Sequence, residues 1–272
     1  MVNIVILSLN RVDKTIQCLE GLRDNDQGTE FRVTLIDNGS NVATKIALYK
    51  FVKRYDWIRL SLLAENIGCG WGRHLAVIMN KCEYLMNLDN DTIPQKDCVR
   101  SLLETIERDP KIMGVCAKVV ETGYKDLNGI QIIYNQPCYI LHNEQVDVDL
   151  VHGGATMWKK EAFTHANFNC YCMEDWDFSM QLKKQGYRLM NCPYAVVYHY
   201  PSRPIYRFAG DDEYNKIRRD KKMLREARNA FYKKWKLRYT DATATVSEVV
   251  VKKRPTMVVD ARDSSLVHIR RR

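Results

Sequence analysis

The chain has 272 residues, 46% of them hydrophobic and 28% charged, and a net charge of +9. That size and composition belong to a folded chain of one or two domains with a sizeable core, and exclude a disordered chain, a coiled coil or a small disulfide scaffold. No apolar stretch reaches the roughly 18 residues that a bilayer span needs, since the longest uncharged segment, Leu127 to Asn143, carries three Asn, two Gln and a Pro.

Met1 to Leu9 lacks a basic flank and a cleavage site, so it reads as a buried first strand rather than a signal peptide, and the expected location is cytoplasmic. Nine cysteines are an odd number without C-x-x-C spacing. Neither a disulfide framework nor a four-thiolate zinc site fits, and the close pair Cys170 and Cys172, near His165, lacks zinc-ligand spacing.

Residues 214–238 hold 11 Lys or Arg against 2 Asp or Glu, and residues 239–272 hold 7 against 4. The excess positive charge therefore hangs on the C-terminus, while residues 1–213 carry 24 basic and 27 acidic residues. A mildly acidic body argues against nucleic-acid binding. Within 214–238, Leu224, Ala227, Phe231 and Trp235 recur at helical spacing, which predicts an amphipathic helix. Its cationic face is either simply solvated or attracted to anionic lipid headgroups. The remainder, 239–272, reads as a tail.

Taken in order, Val2 to Leu9 reads as a strand buried on both faces, Asp13 to Arg23 as a helix and Phe31 to Ile36 as a strand. Asn41 to Arg54 reads as a helix, Trp57 to Leu63 as a strand, Trp71 to Asn80 as a helix and Tyr84 to Leu88 as a strand. This alternation predicts an α/β fold with a parallel sheet, helices on both faces, and ligands at the carboxyl ends of the strands. Pro94 suits a helix first turn, so a helix is expected over Gln95 to Arg108, followed by a strand over Ile112 to Val120. Further on, the pattern predicts an irregular hairpin over Ile130 to Leu141, an edge strand over Gln145 to Val151, helices over Lys159 to Ala166 and Glu174 to Gln185, and short strands at Arg188 to Met190 and Ala195 to His199.

Asp-x-Asp occurs four times, so spacing alone identifies nothing. Asp24 and Asp26 sit in a turn-rich loop at the sheet's amino edge, and Asp147 and Asp149 share the solvent face of a strand. Asp89 and Asp91 differ, because the apolar run Tyr84 to Leu88 delivers them to a strand's carboxyl end. Residues two apart in extended chain point the same way about 6.6 Å apart. Two carboxylates there repel each other unless a cation lies with them, and Mg²⁺ or Mn²⁺ would complete its shell with water and phosphate oxygens. Glu174, Asp175 and Asp177 open a helix, where its dipole favours acids. Three acids at once exceed what capping needs, and one of them can serve as general base if it stays ionised but basic.

In order and spacing these residues resemble family 2 glycosyltransferases with the GT-A fold, especially the rhamnosyltransferase-like branch, from Val2 to about Pro201. Val5 to Arg11 resembles that family's first strand and nucleotide-facing turn, which implies donor contacts near Ser8 and Asn10. Leu35 to Ser40 resembles its second strand, whose Asp, here Asp37, contacts the base. Asn66, Gly68 and Arg73 match the segment that faces the nucleotide phosphates, although His74 stands where that branch commonly has Asn. Asn87 to Asp91 matches the metal motif. Gly153 and Gly154, within His152 to Ala155, resemble a small-residue strand beneath the donor sugar. Glu174 to Asp177 matches the acidic helix start, with Asp175 as catalytic base beside Glu174. His199, within Val197 to Tyr200, matches a late His that reaches the metal or the diphosphate.

The resemblance implies a GT-A catalytic domain over 1–210, with a nucleotide-binding half over 1–91 and an acceptor half over 92–210. The basic helix of 211–238 and the tail of 239–272 would follow it. It further implies a metal-dependent, inverting transfer from a nucleoside-diphosphate sugar, UDP- or dTDP-linked, to a glycan, lipid-linked sugar or polypeptide. Asp89, Asp91 and His199 would hold Mn²⁺ or Mg²⁺, and Asp89 would also touch the donor. The expected location is cytoplasmic, with peripheral contact at the inner face of an anionic membrane through 214–238. Two rivals remain on the residues alone. One is a sugar nucleotidyltransferase, although Ser8 to Val12 lacks the Gly-rich phosphate loop such enzymes carry. The other is a non-catalytic module binding nucleotide sugars on the same fold.

Overall fold

The computed structural model describes residues 1–121, 126–168, 173–200, 221–238, 257–258 and 267–268. The Cys170–Cys172 pair, the basic segment before 221 and most of the tail lie outside these residues.

One eight-stranded sheet organises the chain, in the order β3-β2-β1-β4-β9-β6-β10-β5. Strands β1 (Val2–Ser8), β2 (Phe31–Asp37), β3 (Ile58–Leu62) and β4 (Tyr84–Asp89) pair in parallel. Between them run helices α1 (Val12–Asp24), α2 (Val42–Val52) and α3 (Cys69–Met79). Asn41 starts α2 by accepting a hydrogen bond from the Thr44 amide at 2.9 Å, the contact expected of an N-cap asparagine.

In the second half, β6 (Ile112–Glu121) and β10 (Arg188–His199) are parallel, while β9 (Ala155–Lys159) runs antiparallel between β4 and β6. Helices α4 (Cys98–Ile106), α5 (Ala162–His165) and α6 (Glu174–Lys184) complete this half, and β7 (Ile130–Ile133) and β8 (Gln136–Tyr139) form a hairpin. Its turn residues, Tyr134 and Asn135, both have positive φ, the geometry that matches the twist of paired strands. After the sheet comes α7 (Lys221–Trp235), and the two-residue strands β11 (Met257–Val258) and β12 (Val267–His268) pair antiparallel.

The two-residue strand period divides the core. Val2, Ile4 and Ile6 of β1 face Cys18, Leu19 and Leu22 of α1, Leu48 of α2 and Leu102 of α4. Val5 faces the other way, towards Ala76 and Val77 of α3. On that side of the second half, Trp158 packs edge-on against Phe178 at 4.8 Å between ring centroids, tying β9 to α6. Helices thus cover both faces, as the alternation predicts.

Five sequence expectations are corrected. Pro94 does not open a helix but ends the short strand β5 (Thr92–Pro94) at the sheet's edge, where a missing N–H costs no ladder bond, and α4 begins only at Cys98. Gln145 to Val151 makes only isolated bridges, Asp147 to Met190 and Leu150 to Ile130, although Val148 and Leu150 do point inward. Lys159 closes β9 instead of starting a helix, and Gly153 and Gly154 form the turn before that strand. The two late strands are one, β10, whose register against β6 slips between Arg188 and Leu189 and again, at a bulge, between Cys192 and Val196.

Strand register brings distant residues to one edge. Ser8 lies opposite Asp37, and Leu7 opposite Asp89. Because β9 is antiparallel to β4, its start at Ala155 pairs with Leu88 at the same edge, and β10, parallel to β6, ends there at His199. Among the described residues no helix is long and apolar enough to cross a membrane.

Candidate active site

The carboxyl edge holds two groups of charged side chains. In the first, the Arg73 guanidinium from α3 donates through Nη2 to Asp89 Oδ1 at 3.1 Å and through Nη1 to Glu174 Oε1 at 2.9 Å. It also reaches the Gly153 carbonyl at 3.4 Å. One buried cation therefore ties the end of β4 to the start of α6. A Cβ on Gly153 would stand 3.1 Å from Asp175 Oδ2 and 3.1 Å from Arg73 Nη1, so glycine is what lets the turn lie against both. A Cβ on Gly154 would stand 3.6 Å from Asp89 Oδ2. Asp89, Gly153, Gly154, Glu174 and Asp175 thus share one place, from segments far apart in sequence.

Burial, and Glu174 beside it, push the Asp175 carboxyl well above the usual carboxylate range, against the pull of Arg73 and the Trp176 amide. Glu174 is itself paired with Arg73, which leaves Asp175 as the acid of this turn suited to take up a proton. His152, just before the Gly153 turn, is held neutral. Burial lowers its pKa to about 4, and Nε2–H donates to the Ala117 carbonyl at 2.9 Å.

The second group surrounds Asp91. Arg11 Nη2 donates to Asp91 Oδ2 at 2.9 Å, both side chains being buried, and His199 Nε2 lies 3.4 Å from the same oxygen. Asp89 and Asp91 therefore face different cations, Arg73 and Arg11. Among the described residues no three His, Cys, Asp or Glu side chains cluster as a ready-made metal cage. The donor set still fits a hard divalent ion, which commonly takes one or two carboxylates from protein and the rest from phosphate and water. Asp91 and His199 offer adjacent oxygen and nitrogen, and the Asp89 carboxylate is one-third exposed at the rim.

Towards β2, Asp37 is fully buried. Its Oδ1 accepts from the Ser40 amide at 3.1 Å and has Lys45 Nζ at 4.0 Å, while Oδ2 has no partner. A buried acceptor without a donor is costly, so this atom marks a place for an incoming N–H. Ser8 bonds Thr15 through its hydroxyl at 2.9 Å and takes the Asn38 amide on its carbonyl at 2.8 Å. Asn10, at φ +52, spends its side-chain oxygen on the Asn41 amide at 2.8 Å and donates its own amide to Ser40 Oγ at 2.9 Å. Both shape the Asp37 loop. Asn66 is exposed, and its Oδ1 accepts from the Gly68 amide at 2.8 Å, where Gly68 turns into α3 at φ +85.

One participant escapes a reading of motifs, and another takes a place that the motif does not show. Arg11 was visible only as the residue after Asn10, and nothing in the sequence pairs it with a carboxylate eighty residues away. Asp177 is the third acid of the α6 start, but it faces α7, where Lys234 Nζ meets both its oxygens at 2.7 and 2.8 Å and Trp235 Nε1 donates at 2.7 Å. The apolar stripe of α7 is likewise spent inside the protein, with Phe231 buried against Trp176.

The sequence pattern of "Glycosyl transferase family 2" matches residues 3–164, more than half of the chain. The chain belongs to that family. Among its relatives is the poly-β-1,6-N-acetyl-D-glucosamine synthase of Staphylococcus aureus (strain COL), 27% identical over 171 residues, which cover 60% of this chain and 41% of that protein. The N-acetylglucosaminyltransferase of Rhizobium meliloti (strain 1021) is 26% identical over 127 residues, 46% of this chain and 30% of that protein. This family 2 chain thus spans less than half the length of these relatives. Its architecture is the GT-A fold. It is similar to GalNAc-T7, solved with UDP, GalNAc and Mn²⁺, at a TM-score of 0.63 and 14% identity over 76% of this chain and 45% of that one. It is also similar to the mannosyltransferase PcManGT of Pyrobaculum calidifontis, solved with GDP-Man and Mn²⁺, at 0.56 and 17% over 75% of this chain and 58% of that one.

Proposed function

We propose that this family 2 protein is a metal-dependent, inverting glycosyltransferase acting on a nucleoside-diphosphate sugar. The observation that carries the reading is the single Arg73 guanidinium joining Asp89, at the end of β4, to Glu174, beside the raised carboxyl of Asp175. Donor and acceptor chemistry would then meet at the Gly153 turn.

In this reading the acceptor hydroxyl lies against Asp175, whose carboxylate takes its proton as the oxygen attacks the anomeric carbon. The new C–O bond forms on the face opposite the leaving group, the bond from that carbon to the diphosphate oxygen breaks, and the nucleoside diphosphate departs. Arg73 holds Glu174 in place beside the base. Asp37 Oδ2 accepts from a ring N–H of the nucleobase, as the uracil or thymine of a UDP- or dTDP-sugar offers. Asp91 and His199, with Asp89, would hold Mn²⁺ or Mg²⁺, which when bound supplies positive charge to the departing diphosphate.

Donor sugar and acceptor follow less directly. The named relatives handle N-acetylglucosamine, whereas the motif order resembles rhamnosyltransferase-like members, so both donor types belong in the assay. A glycan, lipid-linked sugar or polypeptide would be the acceptor. The proposed setting is cytoplasmic, with the exposed lysines and arginines of α7 held at an anionic membrane. A catalytic domain over 1–210, divided near residue 91, goes with this reading, although strands of both halves share one sheet.

A thermal-shift screen of UDP, dTDP and GDP, each with and without Mn²⁺, tests the donor site, because a ligand of the native state raises its melting temperature. Release of nucleoside diphosphate from UDP-N-acetylglucosamine or a dTDP-deoxyhexose tests transfer. No stabilisation by any of them, with no release, would overturn the reading.

A further inference from the structure

Helix α6 starts without the usual support. Its N-cap, Met173, sits in the left-handed region at φ +68 and provides no side-chain cap, and three acids crowd the first turn. Acids there gain from the helix dipole but repel one another. Support comes from outside instead. Two residues along a helix turn the side chain by about 200°, so Asp177 points away from the site while Asp175 points into it. On that outer side Lys234 and Trp235 saturate the Asp177 carboxylate, which is 4% exposed. Gln181, one turn on, adds a bond at 2.8 Å. Between the two acids, the Trp176 ring is held by Phe231 of α7 at 5.8 Å and Tyr139 of β8 at 6.0 Å. Just past α7, the Arg238 amide donates to the Asn135 carbonyl in the hairpin turn at 2.7 Å.

We propose that α7 is a positioning element for the reaction: Lys234 and Trp235, acting through Asp177, fix the first turn of α6 so that Asp175 stays against the Gly153 turn. This rests on the reading of Asp175 as base. The C-terminal helix then supports the first turn of α6 without touching substrate, and its basic character serves to neutralise Asp177 as well as to face solvent.

The test is carboxyl titration of Asp175 by NMR in the full chain labelled with ¹³C-aspartate, the resonance being assigned by its loss in Asp175→Asn. The charged groups facing Asp175 are Glu174 on its own helix and Arg73 from α3. Neither Trp235→Phe nor Phe231→Leu alters them, and both variants leave Lys234 and Asp177 in place. In each, the loosened turn admits water, and the Asp175 midpoint is expected to fall by about one unit or more towards the ordinary value of about 4. With UDP-N-acetylglucosamine or a dTDP-deoxyhexose as donor, kcat falls about tenfold while donor KM holds. Lys234→Arg, which keeps the cation, is expected to retain the wild-type midpoint and kcat. A wild-type midpoint in both apolar variants, at unchanged melting temperature, overturns the positioning role. A wild-type Asp175 that titrates near 4, with turnover unaffected in Asp175→Asn, overturns the base assignment instead.

Discussion

Arg11 and Asp91 form a buried ion pair at the carboxyl edge of the sheet, joined by one hydrogen bond of 2.9 Å, with the guanidinium fully buried and the carboxylate nearly so. A pair of this kind is marginal as a source of stability, but taking one partner away removes a close opposite charge from a buried group. Arg11→Met is therefore expected to destabilise the fold by about 3–5 kcal/mol, read by urea denaturation. The double variant Arg11→Met/Asp91→Leu should recover much of that loss. If Arg11→Met unfolds at the wild-type urea concentration, the pair is not buried as described.

Asp175→Asn should bind donor normally and lose turnover by about 100- to 10,000-fold. In the wild type kcat should rise with pH as Asp175 ionises, and that limb should lie above the value of about 4 typical of aspartate. Retention of the same limb by the residual activity of Asp175→Asn would assign it to another group.

The raised Asp175 carboxyl also has a consequence for stability. The folded state holds this proton more tightly than the unfolded chain, so stability is lost as pH climbs from about 4 through the folded midpoint, and the cost is complete above it. Asp175→Asn removes that cost. Its melting temperature should exceed the wild type's at pH 7.5 by about 2–4 °C for each kcal/mol relieved, and the gain should vanish near pH 3. Equal melting temperatures at both pH values would show that the carboxyl is not perturbed.

Asp37 should contribute to donor affinity through its unpartnered Oδ2. A hydrogen bond to a charged acceptor is worth about 1.5–3 kcal/mol, so Asp37→Ala should weaken UDP about 10- to 100-fold by calorimetry. Ribose 5-phosphate, which has no base, should be unaffected. Equal loss for both ligands would place the effect on the loop rather than the base.

The cationic face of α7 predicts salt-sensitive pelleting with vesicles containing phosphatidylserine, because attraction between exposed charges is screened within about 8 Å at physiological salt. Phe231 and Trp235 are engaged within the fold, so no aromatic insertion should contribute, and binding to neutral vesicles should be absent. Salt-insensitive binding to neutral vesicles would reject this electrostatic account.

Much of this was legible in the sequence because parallel strands buried on both faces announce themselves as apolar runs. The run from Tyr84 to Leu88 fixed both β4 and the position of Asp89 at its tip. Likewise, Glu174 to Asp177 marked the start of α6. What escaped depends on partners remote in sequence. Pro94 suits a helix start and an edge strand equally, and only the pairing with β10 decides between them. The alternation of Gln145 to Val151 is real, but the segment meets neighbours at single points. The motif at Asp89 and Asp91 suggested a cation between or beside the two acids, but could not show that Arg73 and Arg11 each pair with one of them. Three acids at the start of α6 gave one base and its neighbour, but only the position of α7 shows that Asp177 turns to the opposite side.

The bulge in β10 sets a count as well as a bend. Four residues of that strand, Val196 to His199, run from its slip in register to the imidazole beside Asp91. Side chains alternate between the two faces of a strand, so deleting one of them would carry Tyr200 to that spot and turn the imidazole outward. Insertions in the loops should be borne easily, but this short stretch behaves as a ruler whose length cannot change by an odd number.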